Sequence, residues 1–188
     1  MTKLHLLSAA TLAAILMASP VSAADQNHKS HFRIVWRGHR EFSFLTAKEA
    51  GNNPGCGGGN ISPSLSWSGA PAATKSYALE IMDPDSPSLT GFVHWLAYDI
   101  PASKTSLKEG EGSQPSTEFK SGKNGPGRTG YFGPCPPVGD MPHPYAFLLI
   151  ATDLPPGALQ DGMTRDDLAA ALKGHVLART TTIYMYGR

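Results

Sequence analysis

The chain has 188 residues, 16 basic and 15 acidic, for a formal net charge of +1, and it contains only two cysteines. That length suits one domain with a core of ordinary size. Near-neutrality argues against nonspecific binding of nucleic acid or anionic membrane, both of which need a basic excess or stripe. Two cysteines without any C-x-x-C element make a poor zinc signature.

Met1–Ala24 combines Lys3, a Leu/Ala/Ile-rich run to Met17, Pro20 and the small residues Ser22, Ala23 and Ala24, the pattern of a cleaved secretory signal. Lys3 is the leader's only charged residue, so its removal leaves basic and acidic residues balanced at 15 each. No later segment has the length and apolarity of a transmembrane helix. The expectation is a periplasmic or secreted protein whose mature part, residues 25–188, is one domain. In an oxidising compartment Cys56 and Cys135 can form one disulfide; a pair of thiols is the alternative.

Phe32–Trp36 and Phe42–Leu45 read as short strands. Gly51–Gly59, with five glycines, Asn52, Asn53 and Pro54, reads as loop. It lacks the G-x-G-x-x-G or P-loop lysine of a nucleotide site. Leu65–Trp67 is a brief alternating strand, and Tyr77–Met82 a stronger one running into Asp83-Pro84-Asp85-Ser86-Pro87. The run Phe92–Ile100 is nearly all apolar, as in a strand buried on both faces, so His94 within it reads first as a hydrogen-bonded core histidine. Ala102–Gly130 is polar, with Leu107 and Phe119 as its only large apolar residues; it is expected to be a long, mobile loop covering a site.

Tyr131–Tyr145, Y-F-G-P-C-P-P-V-G-D-M-P-H-P-Y, carries five prolines and two glycines. Such a backbone is largely preset, and no regular element is expected to run through it. It delivers a thiol at Cys135, an imidazole at His143 and a phenol at Tyr145 directly before the strand-like run Ala146–Ala151. Thr164 is placed to cap a helix, with Asp167 as a capping-box acid and Gly174 as a stop. His175–Tyr186 is β-branched and aromatic, a closing strand. The fold class is mostly β: an antiparallel β-sandwich with one or two short helices at its edge and long loops.

Three stretches thus place polar groups at strand ends: Asp83 and Asp85, then His94, then His143 and Tyr145. Imidazolium N–H, phenol O–H and loop N–H groups can hold a phosphate-like anion. Two histidines and an aspartate can also ligate zinc or iron, though no H-x-H or H-x-x-x-H spacing supports a metal. A hydrolase lacks its signal, since no G-x-S-x-G elbow is present.

The motifs D-P-D-S-P, G-F-V-H-W and Y-F-G-P-C-P-P-V-G with H-P-Y, together with C-G-G-G-N-I-S-P-S-L-S-W and L-K-G-H-V-L-A-R, resemble the phosphatidylethanolamine-binding protein family and its bacterial Raf kinase inhibitor-like branch. The resemblance covers roughly Phe32 to Arg188. It implies an antiparallel β-sandwich with a small anion pocket at one end, no cofactor, no bound metal and no catalysis. The implied pocket residues are Asp83, Asp85, His94, the loop wall Gly133, Pro134, Cys135, Pro136 and Pro137, then His143 and Tyr145. The implied ligand is phosphate or a phosphoethanolamine-like headgroup. Some members act on kinases or proteases through surface contacts, so an inhibitor or signalling role on a protein partner is the alternative, and a homodimer is left open. Departures from the family pattern are Pro144 in place of a residue with an N–H, no aromatic residue soon after Asn124, and the lack of a helix after the last strand.

Overall fold

Strand segments in this sequence differ in how many faces are apolar, and that difference sets the layers. The computed structural model describes residues 31–188; the leader expected at Met1–Ala24 lies outside them. The strands are β1 (Arg33–Trp36), β2 (Leu65–Ser68), β3 (Ser76–Asp83), β4 (Phe92–Pro101), β5 (Ser106–Leu107), β6 (Lys120–Ser121), β7 (His143–Thr152) and β8 (Val176–Tyr186), with helix α1 at Arg165–Ala171. They form two sheets, β1-β2-β5 and β6-β4-β3-β7-β8, and every strand pair is antiparallel.

The smaller sheet turns Ile34, Trp36, Leu65 and Trp67 onto the larger one, where they meet Tyr77, Leu79, Ile81, Trp95, Phe147, Leu149 and Tyr184. On the far face of the larger sheet, Ala78, Leu96 and Tyr98 pack under Leu168 of α1, under Leu172 at its C-cap and under Leu159. β3 and β4 are therefore covered on both sides, which is why their sequences are almost continuously apolar. β7 keeps strict alternation, with His143, Tyr145, Phe147, Leu149 and Ala151 buried on one row.

α1 is a short helix that depends on its ends. Thr164 Oγ1 accepts from the Asp167 N–H at 3.2 Å, while the Asp167 carboxylate accepts from the Thr164 N–H at 3.1 Å, a complete capping box. Removing the cap oxygen in Thr164→Ala is expected to cost about 1 kcal/mol. Urea unfolding should show a lower midpoint with an unchanged slope; an unchanged midpoint would show that the packing of Leu168 alone holds the helix.

Three expectations need correction. Phe42–Leu45 is not a strand: Phe42 has φ 63°, and the segment runs along β8 through irregular bonds, Phe42 N–H to Ile183 O at 2.7 Å and Leu45 N–H to Met185 O at 2.8 Å, with one isolated bridge at Phe44. Ala102–Gly130 is not structureless. Its two large apolar residues anchor it, since Leu107 sits in β5, Phe119 precedes β6, and both side chains are buried. Lys104 adds ion pairs to Glu111 and Glu118, each 2.6 Å. The proline-rich loop also ends earlier than expected, because β7 begins at His143. Pro144 is tolerated there since β7 overhangs β3, whose pairing stops at Met82 opposite Ala146, so only β8 is bonded at that point.

Candidate functional site

Asp83 closes β3, Phe92 opens β4 and His143 opens β7, so antiparallel pairing brings these three strand ends together at one edge of the larger sheet. Asp83 belongs to the β3 row of Tyr77, Leu79 and Ile81, and His143 to the β7 row of Tyr145 and Phe147, which face the smaller sheet. His94 joins them through an irregularity. Trp95 lies opposite Ile81 and Val93 opposite Met82, which leaves His94 as an extra residue without a partner on β3. Such a bulge breaks alternation and re-aims a side chain. Leu96 and Tyr98 pack beneath α1, whereas the His94 ring meets Tyr145 edge-on at 5.1 Å.

The two imidazoles differ in environment. His94 is buried, and its Nδ1–H donates to the Phe132 carbonyl at 2.6 Å, while the Phe132 N–H donates back to the His94 carbonyl at 2.9 Å. Burial pushes the His94 pKa down to about 4, so its ring is neutral near pH 7. His143 Nδ1–H donates to Asp83 Oδ2 at 2.8 Å, and Asp140 lies 3.7 Å from Nε2. Although burial opposes its charge, the hydrogen bond to Asp83 and the charges of Asp83, Asp85 and Asp140 raise the His143 pKa. One histidine is therefore a neutral wall and the other a donor to a carboxylate that favours its charge, not the two equivalent imidazoliums that residue type alone indicates.

These groups line a cavity of about 320 Å³ whose remaining walls are largely apolar: Phe92, Phe132, Pro87, Pro126, Pro136 and Pro137, with Asn53, Ser86 and Cys135. Of the residues expected at the site, Asp83, His94, Cys135, Pro136, Pro137 and His143 line it. Asp85 does not; its carboxylate is exposed and its backbone N–H caps Asp83 Oδ1 at 2.8 Å. Tyr145 lies in the layer behind, fully buried, its hydroxyl without a hydrogen-bond partner among the described residues; burial and the nearby Asp83 charge raise its pKa. Gly133 and Pro134 form the backing of the wall. A Cβ on Gly133 would stand 2.3 Å from Glu49 O, so Gly133→Ala is expected to push the wall loop off its support at a cost of about 2–3 kcal/mol. Thermal melting tests this, since a wild-type midpoint would mean the loop moves without cost.

Sequence reasoning missed the walls Phe92, Phe132, Pro87 and Pro126 and the hydrogen bonds that hold the loops. Asn60 Oδ1 accepts from the Gly133 N–H at 2.7 Å, and Tyr131 O–H donates to Glu49 O at 2.9 Å. The disulfide that the sequence offered, Cys56 to Cys135, is formed with Cα atoms 5.6 Å apart and ties the glycine-rich loop to the proline-rich one. The same two loops are joined by Gly51 N–H to Pro134 O at 2.8 Å and by Arg188, which donates to both Pro136 O and Gly55 O. Asn at a glycine-to-strand junction was the one available signal; nothing local marks Arg188.

Two antiparallel sheets with a proline-walled cavity at one edge define a β-sandwich with a pocket at its end. The chain belongs to the phosphatidylethanolamine-binding protein family, whose model matches residues 44–187. It is 44% identical over 107 residues to UPF0098 protein YbcL of Escherichia coli K12, an alignment spanning 55% of this chain and 58% of YbcL. It is 38% identical over 147 residues to a UPF0098 protein of Aquifex aeolicus, covering 78% and 85% of the two chains. The crystal structure of E. coli YbcL, described as a member of the mammalian family, superposes with a TM-score of 0.77 at 32% identity over 84% of this chain and 98% of that one. That of the family homolog CT736 from Chlamydia trachomatis gives 0.73 at 28% identity, over 84% and 97%. Among the described residues no helix is long and apolar enough to cross a membrane, and no group of three or more His, Cys, Asp or Glu converges as a metal site.

Proposed function

We propose that this chain is an exported, noncatalytic binding protein that holds phosphate or a phosphoethanolamine-like anion in the cavity walled by His94 and His143. The observation that carries this is His143: an imidazole whose charged form is favoured by Asp83, lining a largely apolar cavity, with no hydrogen bond made by its Nε2 among the described residues. Ser86 adds a buried hydroxyl on the same cavity that is also without a partner. A charge-assisted donor and a free hydroxyl among largely apolar walls favour an oxyanion. Export rests on the leader-like Met1–Ala24 and on the disulfide, which is at home in an oxidising compartment.

Calorimetric titration with inorganic phosphate tests this proposal. His143→Gln, which keeps a donor but cannot ionise, is expected to weaken phosphate at least tenfold, the usual worth of a charge-assisted hydrogen bond. The pH dependence has a fixed sign: the raised His143 pKa keeps its charge above the ordinary ~6.5, so affinity for an anion of constant charge falls as pH rises through that raised value. Equal pH slopes in the two proteins would remove His143 from the reading, and no binding by the wild type would remove the anion site.

A second reading, a protein partner met at the same edge, is favoured by Leu89, Val138 and Met141, exposed at 105%, 78% and 83% on the two loops that frame the cavity. Sedimentation equilibrium of the purified protein and of Met141→Ser separates self-association through this rim from a monomer that awaits another partner.

A further inference from the structure

The cavity pairs a hydrogen-bond donor with a hydrogen-bond acceptor, and that pairing restricts the ligand more than charge does. A carbonyl oxygen only accepts, so the 2.6 Å contact to Phe132 O fixes the His94 proton on Nδ1. Burial keeps the ring neutral near pH 7, which leaves Nε2 as a lone pair with no protein donor among the described residues. His143 differs: its Nδ1–H is engaged by Asp83, and the charges of Asp83, Asp85 and Asp140, the last 3.7 Å from Nε2, favour a second proton on Nε2, which makes that nitrogen a donor when the ring is charged. An oxygen that carries no proton is attracted at His143 and repelled at His94, lone pair against lone pair. An oxygen that carries a proton completes His94.

We propose that the pocket selects an oxyacid that retains a proton on one oxygen, inorganic phosphate or a phosphomonoester monoanion, and rejects fully deprotonated oxyanions, with His94 as the residue that sets this preference. The inference rests on the anion-site reading above and sharpens it to a protonation state. A deprotonated anion could enter only by forcing a proton onto His94; with a pKa of about 4 that carries a penalty of roughly a thousandfold in affinity at pH 7, shrinking about tenfold for each pH unit of acidification. The other titratable or charged groups around His94 are Asp83 on β3, Tyr145 and His143 on β7, and Asp85 and Asp140 on the flanking loops; they act on each probe according to its charge and remain in place in the His94 variants, so the comparison of variant with wild type isolates His94.

Three probes titrated calorimetrically into the mature protein at pH 5.5 and 8, in buffers of different ionisation enthalpy, decide the matter. Inorganic phosphate keeps a P–OH at both pH values. Methyl phosphate loses its own above the second ionisation near ~6. Sulfate has none at either. The expected result is that sulfate binds at least tenfold more weakly than phosphate and takes up close to one proton. Methyl phosphate should fall by about a further tenfold per pH unit relative to inorganic phosphate between the two conditions, which separates a free phosphate from an ester headgroup as the source. In His94→Gln, whose amide can present either N–H or C=O to the ligand, the gap between phosphate and sulfate should close to within about threefold. His94→Asn, which reaches only the Phe132 carbonyl, should close it as well and guards against a Gln variant that folds poorly. Sulfate bound as tightly as phosphate by the wild type overturns the proposal and leaves the anion site standing; failure of all three probes overturns both.

Discussion

A His143→Ala variant is expected to lose about 3–5 kcal/mol of folding stability, the usual consequence of stripping one partner from a buried ion pair. The left-behind group is Asp83, 4% exposed, whose other oxygen is already committed to the Asp85 N–H. The loss should therefore exceed that of a cavity alone, and Asp83→Asn combined with His143→Ala should recover part of it. If the double variant is as unstable as the sum of the singles, the two side chains are not coupled. The pH dependence follows from the raised His143 pKa. A base whose pKa is higher in the folded state stabilises fully below its unfolded value, near ~6.5, and that contribution fades as pH rises through the folded value. His94 works in the opposite sense at lower pH. Its folded pKa of about 4 lies below the unfolded value, so acidification from ~6.5 toward 4 favours the unfolded chain by up to about 3 kcal/mol. Stability should peak near neutrality, and the alkaline limb alone should disappear in His143→Gln. Urea unfolding at pH 7 and 9 measures it; an unaltered alkaline limb in the variant would assign the effect to another group.

The chemistry that meets at this sheet edge was legible because each part is local: D-P-D-S-P ends a strand, H-P-Y adjoins a strand-like run, and the capping box at Thr164 and Asp167 is a spacing of three residues. Antiparallel pairing then brings the ends together without further information. What was not legible depends on contacts distant in sequence or on register. The bulge that leaves His94 unopposed exists only in the pairing of β3 with β4, so alternation alone sends His94 to the face of Leu96 and Tyr98. The charge asymmetry between the histidines follows from the Phe132 carbonyl, 38 residues from His94, and from Asp83, 60 residues from His143. Asp85 looked equivalent to Asp83 in the motif, but alternation places neighbours two apart on one face only while the strand lasts, and β3 ends at Asp83. Phe42–Leu45 has strand composition yet takes a left-handed turn at Phe42, and β5 and β6 are two-residue strands that no periodicity can reveal.

Removing the disulfide in a Cys56→Ser, Cys135→Ser double variant is expected to give the largest loss of stability, about 4–5 kcal/mol from the chain entropy of a closure with a sequence separation of 79. Against the roughly 5–15 kcal/mol of a typical domain, that is a large share. The cavity should respond less than the stability does. Its wall loops remain joined by Gly51 N–H to Pro134 O and by the Arg188 side chain on Pro136 and Gly55, and Asn60 still fixes Gly133. At a temperature where the variant is folded, phosphate affinity should change by less than the roughly tenfold expected of His143→Gln. Adding Arg188→Ala to the double serine variant removes the second tie, and the wall bearing Pro136 and Pro137 is then held chiefly by backbone bonds. That triple variant should lose ligand affinity by more than the product of the two separate effects, because each tie compensates for the other. Thermal melts and phosphate titrations of the variants measure both quantities. Two free thiols in the denatured, unreduced wild type would show that the bridge is absent in solution, and an affinity loss in the double serine variant equal to that of His143→Gln would show that the bridge shapes the cavity and not only the unfolded chain.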